Sequence, residues 1–391
     1  MNNDFINVRE EFVSLHGKEC NETFISYGRL ELLGNHTDHN HGEVLVSAAS
    51  LGIKAATSSR EDGIIDILSI GYGRFSLSIK DLAVKEEEKG TPIALTRGVL
   101  SGLLRSGHQI KGFSGVFESN IFPGAGVSSS AAYELLIAEI ENYYANEGKI
   151  DRLLLAQIGQ FSENVYFGKP SGLLDQCGSS FGGVSYIDFS DINNPKVENV
   201  LFPKEWKLHI ILTNPGKGHG HLTNLYAAIP QDMKKAAAAF GKEFLGEVDP
   251  KVFYQNAYNP KLNISDISRT RAIHFFSENE RVKRAIEAIK SLNREAFLEI
   301  IRSSENSSAY LLKNAMVPGT YKGSPLEAVE RGLPFLKVGA GRLMGGGFAG
   351  TSISFVPDEE VEAFYKAMVS FYGEKAVVEV SIPEQGAHLV S

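Results

Sequence analysis

The chain has 391 residues, enough for two domains, and its 43% apolar and 22% charged residues match a folded globular protein. Lys plus Arg total 39 and Asp plus Glu total 47, a net charge of −8 without any dense basic run, which argues against nucleic acid or an anionic membrane as partner. Two distant cysteines, Cys20 and Cys177, allow one disulfide but no disulfide framework or cysteine zinc cluster.

The N-terminus is polar, and no run approaches the roughly 20 apolar residues that span a bilayer, so a reducing cytoplasm is the simplest location. Alternating apolar and β-branched positions predict strands over 24–33 and 44–56 and a hairpin from 64–70 and 73–79. Helical periodicity covers 91–105, and a strand pattern returns at 112–118. Residues 123–130 read Pro-Gly-Ala-Gly-Val-Ser-Ser-Ser and run into a helix striped by Tyr133, Leu136, Ile137, Ile140 and Tyr144, with Gly148 as its stop. Helices are expected over 152–167 and after Ser171, the latter broken by Gly182-Gly183 before a strand at 184–189. The polar stretch 190–197 is the candidate boundary, dividing the chain into 1–195 and 196–391. Downstream come helices at 223–244, 269–290 and 294–313, a glycine-dense segment at 339–350, a strand at 351–356, a helix at 360–372 and a last strand at 376–381. Without a regular βαβ period or a repeat, an α+β architecture is favoured over a doubly wound sheet.

The strongest chemical signal is Gly124-Ala125-Gly126-Val127-Ser128-Ser129-Ser130. Glycines let the backbone turn tightly against a ligand, and the serines add hydroxyls and unpaired N–H groups at a helix start, where the dipole attracts phosphate. The Gly-Lys-Ser/Thr ending of a Walker loop is missing, and the glycine spacing is not that of a dinucleotide fingerprint. Taken alone, the segment reads equally well as a capped glycine turn. Residues 28–40, Gly-Arg-Leu-Glu-Leu-Leu-Gly-Asn-His-Thr-Asp-His-Asn, crowd polar groups suited to a polyhydroxylated ligand. On spacing alone a surface loop ranks first there, and a metal site of His36, Asp38, His39 and His41 second.

These segments resemble the GHMP kinases. Residues 123–132 are similar to the family's second motif, whose loop wraps the ATP phosphates and whose last serine, Ser130 here, helps hold Mg2+. Residues 28–40 are similar to the galactokinase signature Gly-Arg-x-Asn-x-x-Gly-Glu-His-Thr-Asp-Tyr-Asn, which overturns the ranking just given. The resemblance implies that Arg29 faces the reacting phosphate and that Asn35, His36, Thr37 and Asp38 belong to the sugar site. Two departures stand out: the family's Glu is Asn35 and its Tyr is His39. In the family that Glu contacts the sugar's C6 hydroxyl, so Asn35 raises the expectation of a C6-altered or related sugar such as galacturonate, N-acetylgalactosamine or arabinose.

Gly172-Leu173-Leu174-Asp175-Gln176 resembles the family's Gly-x-Met-Asp-Gln, making Asp175 the implied base and Gly172 a sugar neighbour. Glu163, twelve residues earlier, matches the Glu that binds Mg2+ with the loop serine. Tyr226 matches a sugar-contacting tyrosine, Ser69 a nucleotide-contacting position, and 339–350 the third motif, with a packing role beside the ATP loop. The resemblance implies the two-lobed GHMP kinase fold, with an N-terminal lobe like ribosomal protein S5 domain 2 and a ferredoxin-like C-terminal lobe. It further implies ATP and Mg2+ as cofactors, a small sugar as partner, and a monomer or weak homo-oligomer. A catalytically silent galactose and ATP sensor is the alternative, opposed by the intact serine run and Asp175. A metal hydrolase built on the histidines leaves the phosphate loop unexplained.

Overall fold

The computed structural model of the protein describes residues 5–122, 124–216 and 222–391; Pro123, first in the expected loop motif, lies outside them. A first sheet begins with β1 (Glu22–Leu33) and β2 (Glu43–Arg60), antiparallel partners. β2 is 18 residues long and nearly all buried, because its two halves take different second partners. β3 (Ile64–Ser69) and β4 (Gly73–Ser78) form the expected hairpin, and β5 (Gly112–Ser119) pairs with residues 53–60 of β2 and, in parallel, with β3. β6 (Val184–Asp188) pairs with residues 43–47 of β2, and β7 (Lys196–Val200) pairs with β6.

The first sheet therefore continues past the 195/196 division read from composition. The polar residues there form an exposed hairpin connection between β6 and β7, and solvent exposure accounts for their polarity. The second sheet is antiparallel, in the order β11-β8-β10-β9, from β8 (Leu208–Thr213), β9 (Ala340–Leu343), β10 (Ser352–Pro357) and β11 (Val377–Val380). The chain then returns, and β12 (His388–Leu389) pairs with Phe24 and Ile25 of β1 in the first sheet.

Helices Pro92–Arg105, Ser129–Asn146 and Arg152–Phe161 bury Leu95, Val99, Leu135, Leu136 and Ile158 against Phe113 and Phe117 of β5. Each such side chain contributes about 1.5–3 kcal/mol by leaving water. A second cluster spans both lobes, joining Leu32, Ala125 and Val127 to Leu212, Ile353 and Met344. The phosphate loop is thereby rooted in a core that both lobes build. The helix expected over 152–167 changes at Ser162 into a π-helical turn, Ser162–Phe167, and the one over 294–313 ends likewise in Ser308–Leu312. The helix expected over 223–244 stops at Ala238. Helices Ile6–His16, Pro250–Asn256 and Pro325–Gly332 had no expectation attached to them. Cys20 and Cys177 are both free and buried, so the conceivable disulfide does not form. Among the described residues no helix is long and apolar enough to cross a membrane.

Candidate active site

A cavity of about 1290 Å3 opens between the lobes, lined by Arg29, Asp38, Ser130 and Asp175 from the first and by Tyr226 and Thr351 from the second. Pockets for one small ligand run to roughly 1,000 Å3, so this one has room for two reactants. Gly124, Ala125, Gly126, Val127, Ser128, Ser129 and Ser130 form one wall. Gly124 (φ +79°), Gly126 (φ +70°) and Ser128 (φ +57°) alternate with ordinary residues, a backbone sequence that turns N–H groups into an anion-binding hollow. The helix Ser129–Asn146 starts there and adds its unpaired N–H groups and dipole.

The loop is clasped from both lobes. Arg29 N donates to Val127 O at 2.8 Å, and a Cβ at Gly28 would lie 2.5 Å from that same oxygen, which is why glycine stands there. From the second sheet, Asn214 Nδ2 and Thr351 Oγ1 donate to Gly124 O at 3.0 and 2.7 Å.

Arg29 projects from β1 beside the loop. Its Nε donates to Asp175 Oδ1 at 2.6 Å and its Nη1 to Gly126 O, so the implied base and the arginine converge at the phosphate loop. Burial alone would raise the Asp175 carboxyl; the Arg29 and Lys169 charges and the hydrogen bond from Arg29 outweigh it and hold it below the ordinary aspartate range. Glu163 is wholly buried on the π-helical turn, the kind of irregular turn that often re-aims a functional side chain. Its Oε1 accepts from Ser130 Oγ and Lys169 Nζ, each at 2.8 Å, and its Oε2 from Ser171 Oγ at 2.7 Å and Gln176 Nε2 at 2.9 Å. Gln176 also donates to Glu134, whose carboxyl is driven well up by burial, with the Glu163 charge adding to it.

The other end of the cavity is a turn after β1, held from below. Gly34 N donates to Glu278 Oε1 at 3.0 Å, and Thr37 Oγ1 donates to Gly34 O and Glu43 O at 2.9 and 2.7 Å. His36 and Asp38 line the cavity, but Asn35 and Thr37 are not on its wall. Both were expected at the sugar; in the structure both are fully buried and brace the turn. Asn35 Nδ2 donates to Glu31 Oε1 at 2.8 Å and Gly345 O at 2.6 Å, and Asn35 Oδ1 accepts from Asn314 Nδ2 at 2.7 Å. His36 Nε2 lies 3.0 Å from Gly346 O, and a carbonyl only accepts, so that nitrogen carries the proton. Burial, with the nearby His39, pushes this imidazole down to about 3, which keeps it neutral.

Asp38 Oδ2 occupies the space beside Gly172, where an added Cβ would lie 1.8 Å away. Tyr226 lines the cavity and its hydroxyl donates to Gly347 O at 3.0 Å. The third glycine motif therefore holds the sugar-signature side chains through its carbonyls and packs beside the phosphate loop as well. Ser69 also lines the cavity. The four histidine-segment residues do not converge on a point, for His41 stacks on Phe244 at 3.9 Å. Among the described residues no group of three or more His, Cys, Asp or Glu could hold a metal.

Sequence reading missed Lys169, Ser171 and Gln176 around Glu163, Asn314 under the sugar turn, and Glu31, which lines the cavity. Glu31 carried a signal: it stands where the signature has Asn.

Residues 94–183 match the GHMP kinases N terminal domain, and residues 10–59 the galactokinase galactose-binding signature. A galactokinase of Clostridium perfringens is 32% identical over 384 residues, covering 96% of this chain and 95% of that protein. One from Enterococcus faecalis is 32% identical over 373 residues, covering 93% of each. The crystal structure of Lactococcus lactis galactokinase complexed with galactose superposes with a TM-score of 0.83 at 26% identity, covering 98% of both chains. More distant is the crystal structure of L. major mevalonate kinase, with a TM-score of 0.62 at 15% identity, a likeness of fold alone. The two sheets flanked by helices are thus the two-lobed GHMP fold expected from the motifs. The chain is a sugar kinase and belongs to the galactokinase family of the GHMP kinases.

Proposed function

We propose that the protein transfers the γ-phosphoryl group of ATP to the anomeric C1 hydroxyl of galactose, releasing galactose 1-phosphate and ADP. The observation that carries this reading is the meeting of Arg29 and Asp175, 2.6 Å apart, at a helix start built to hold phosphate, in one cavity with His36 and Asp38. In the reaction the C1 oxygen forms a bond to the γ-phosphorus, the bond from that phosphorus to the ADP oxygen breaks, and the hydroxyl proton passes to Asp175. A depressed carboxyl is ionised at neutral pH and able to receive it. Arg29 keeps Asp175 charged and faces the negative charge on the transferring group, while the N–H groups at Ser128–Ser130 hold the phosphates in line.

Ser130 and Glu163 fit a hard divalent cation, because they present adjoining oxygen donors 2.8 Å apart beside the phosphate loop. Bound there, Mg2+ would neutralise phosphate charge. The turn of β1 and Gly172 would seat the sugar, with the neutral His36 offering an acceptor nitrogen and Asp38 a carboxylate to its hydroxyls. The test is a panel of sugars with ATP, the product's phosphorylated carbon being located by NMR. Phosphate on C1 of galactose is the expected product. ADP formation confined to another carbon, or no turnover despite binding of both ligands, would refute the reading.

A further inference from the structure

Two side-chain types have traded places in this chain. The galactokinase signature carries an amide at the position of Glu31 and a carboxylate at the position of Asn35. The structure shows the traded groups in contact, Asn35 Nδ2 donating to Glu31 Oε1 at 2.8 Å. A single loss of the carboxylate, the expectation drawn from Asn35 alone, does not describe this; the carboxylate has moved across one hydrogen bond.

We infer that Glu31 is the specificity-determining carboxylate of the sugar site, selecting neutral sugars that present a hydroxyl donor remote from C1 and rejecting those that carry a carboxylate there. This rests on the sugar 1-kinase reading above. Three observations carry it. Arg29 and Glu31 alternate along β1 with unbroken register, opposite Ala48 and Val46, so they project from the same face of the strand. Their spacing is about 6.5–7 Å, on the order of a pyranose ring's length. Arg29 marks the reacting end through Asp175, so Glu31 addresses the far end. Both residues line the cavity, whereas Asn35 does not.

The carboxylate is also a built site. Arg342, which is fully buried, donates from Nη2 to Glu31 Oε1 at 3.1 Å and from Nη1 to the carbonyls of Glu31 and Leu32. Asn35 fixes the same Oε1 and is itself held by Gly345 and Asn314. Every hydrogen bond to the carboxylate among the described residues falls on Oε1, leaving Oε2 to accept from a ligand hydroxyl. Burial raises this carboxyl and the Arg342 and Arg29 charges oppose that rise; as a carboxylate it only accepts, so it rewards a donor and repels a second carboxylate.

The experiment measures kcat/KM of the full-length enzyme for galactose, 4-deoxygalactose, 6-deoxygalactose and galacturonate. For the unaltered enzyme, one of the two deoxy sugars should lose about 10²-fold or more, since a buried acceptor is left unpaired. Glu31→Gln, which keeps the shape and an acceptor for Arg342, should narrow the galactose-to-galacturonate ratio at least about 10-fold at an unchanged Tm. The double exchange Glu31→Asn with Asn35→Glu, which restores the signature arrangement, should recover more galactose selectivity than Asn35→Glu alone, which sets two carboxylates side by side. An active enzyme whose sugar ratios stay put in Glu31→Gln, or one indifferent to both deoxy sugars, overturns the inference. An unaltered enzyme that phosphorylates none of the sugars overturns the kinase reading beneath it.

Discussion

Replacing Gly172 by alanine isolates one contact of the proposed sugar site. Gly172 has no positive φ, so alanine is acceptable to the backbone, and only space forbids it. The added Cβ would lie 1.8 Å from Asp38 Oδ2, and real Cβ atoms essentially never come within 3.0 Å of another heavy atom. One of the two groups must withdraw by roughly 1.2 Å, and a displacement near 1 Å at a positioning residue costs on the order of 10²-fold in rate. That corresponds to about 2.7 kcal/mol of transition-state stabilisation. We expect Gly172→Ala to lower kcat/KM for galactose by about 10²-fold while KM for ATP and the unfolding midpoint barely change. The control is the same substitution in an Asp38→Ala background, where the collision is gone and the further loss should shrink to a few-fold. Wild-type kcat/KM in the single variant, or a loss undiminished without Asp38, would refute the steric argument.

Asp175→Asn should reduce kcat by orders of magnitude with little change in sugar binding measured by calorimetry, because the geometry survives and the proton acceptor does not. A folded pKa below the ordinary 3.8 means Asp175 loses its charge only as pH falls beneath that value, so kcat/KM should be level from about pH 5 upwards through neutrality. An acid limb between pH 5 and 7 would show that another group controls the proton. Glu278 is fully buried, and although burial opposes its ionisation, Arg281 chiefly, then His274 and Arg342, hold its carboxyl well below the ordinary range. It therefore stabilises the fold above its unfolded value of 4.5, and that contribution fades as pH drops from there through the depressed folded value. Glu278→Ala leaves Arg281, Gly34 N and Ser304 without their acceptor and should cost about 3–5 kcal/mol in urea unfolding. A cost under about 1 kcal/mol would contradict this account.

Residues alone left the glycine-serine segment evenly poised between a phosphate hollow and a capped glycine turn, because both need tight turns followed by unpaired N–H groups at a helix start; the resemblance favoured the hollow. Arg29, Glu163 and Asp175 were legible only through the resemblance, since no local rule pairs residues 146 positions apart. Asn35 and Thr37 show what such transfer leaves open, for both are buried in the turn and off the cavity wall. A polar residue inside a ligand motif can serve the ligand or the turn that presents it, and burial, which decides between them, is a property of the fold. Lys169 went unnoticed because a lysine in a Gly-Lys-Pro-Ser loop carries no pattern; only the return of that loop onto the buried Glu163 gives it a partner. The polar stretch behind the 195/196 division marks an exposed loop, and polar composition says nothing about whether the strand after it rejoins the same sheet, as β7 does.

Placing β12 beside β1 also sets an order of events at the ribosome. Residues 24 and 25 obtain their outer neighbours only when 388 and 389 have been made, after the entire second lobe. At translation rates of 5–20 residues per second, that edge of the nascent sheet stays bare for on the order of 20–70 s. During that interval it can recruit a strand from another chain, and shortening the polypeptide by its last few residues would prolong the exposure indefinitely.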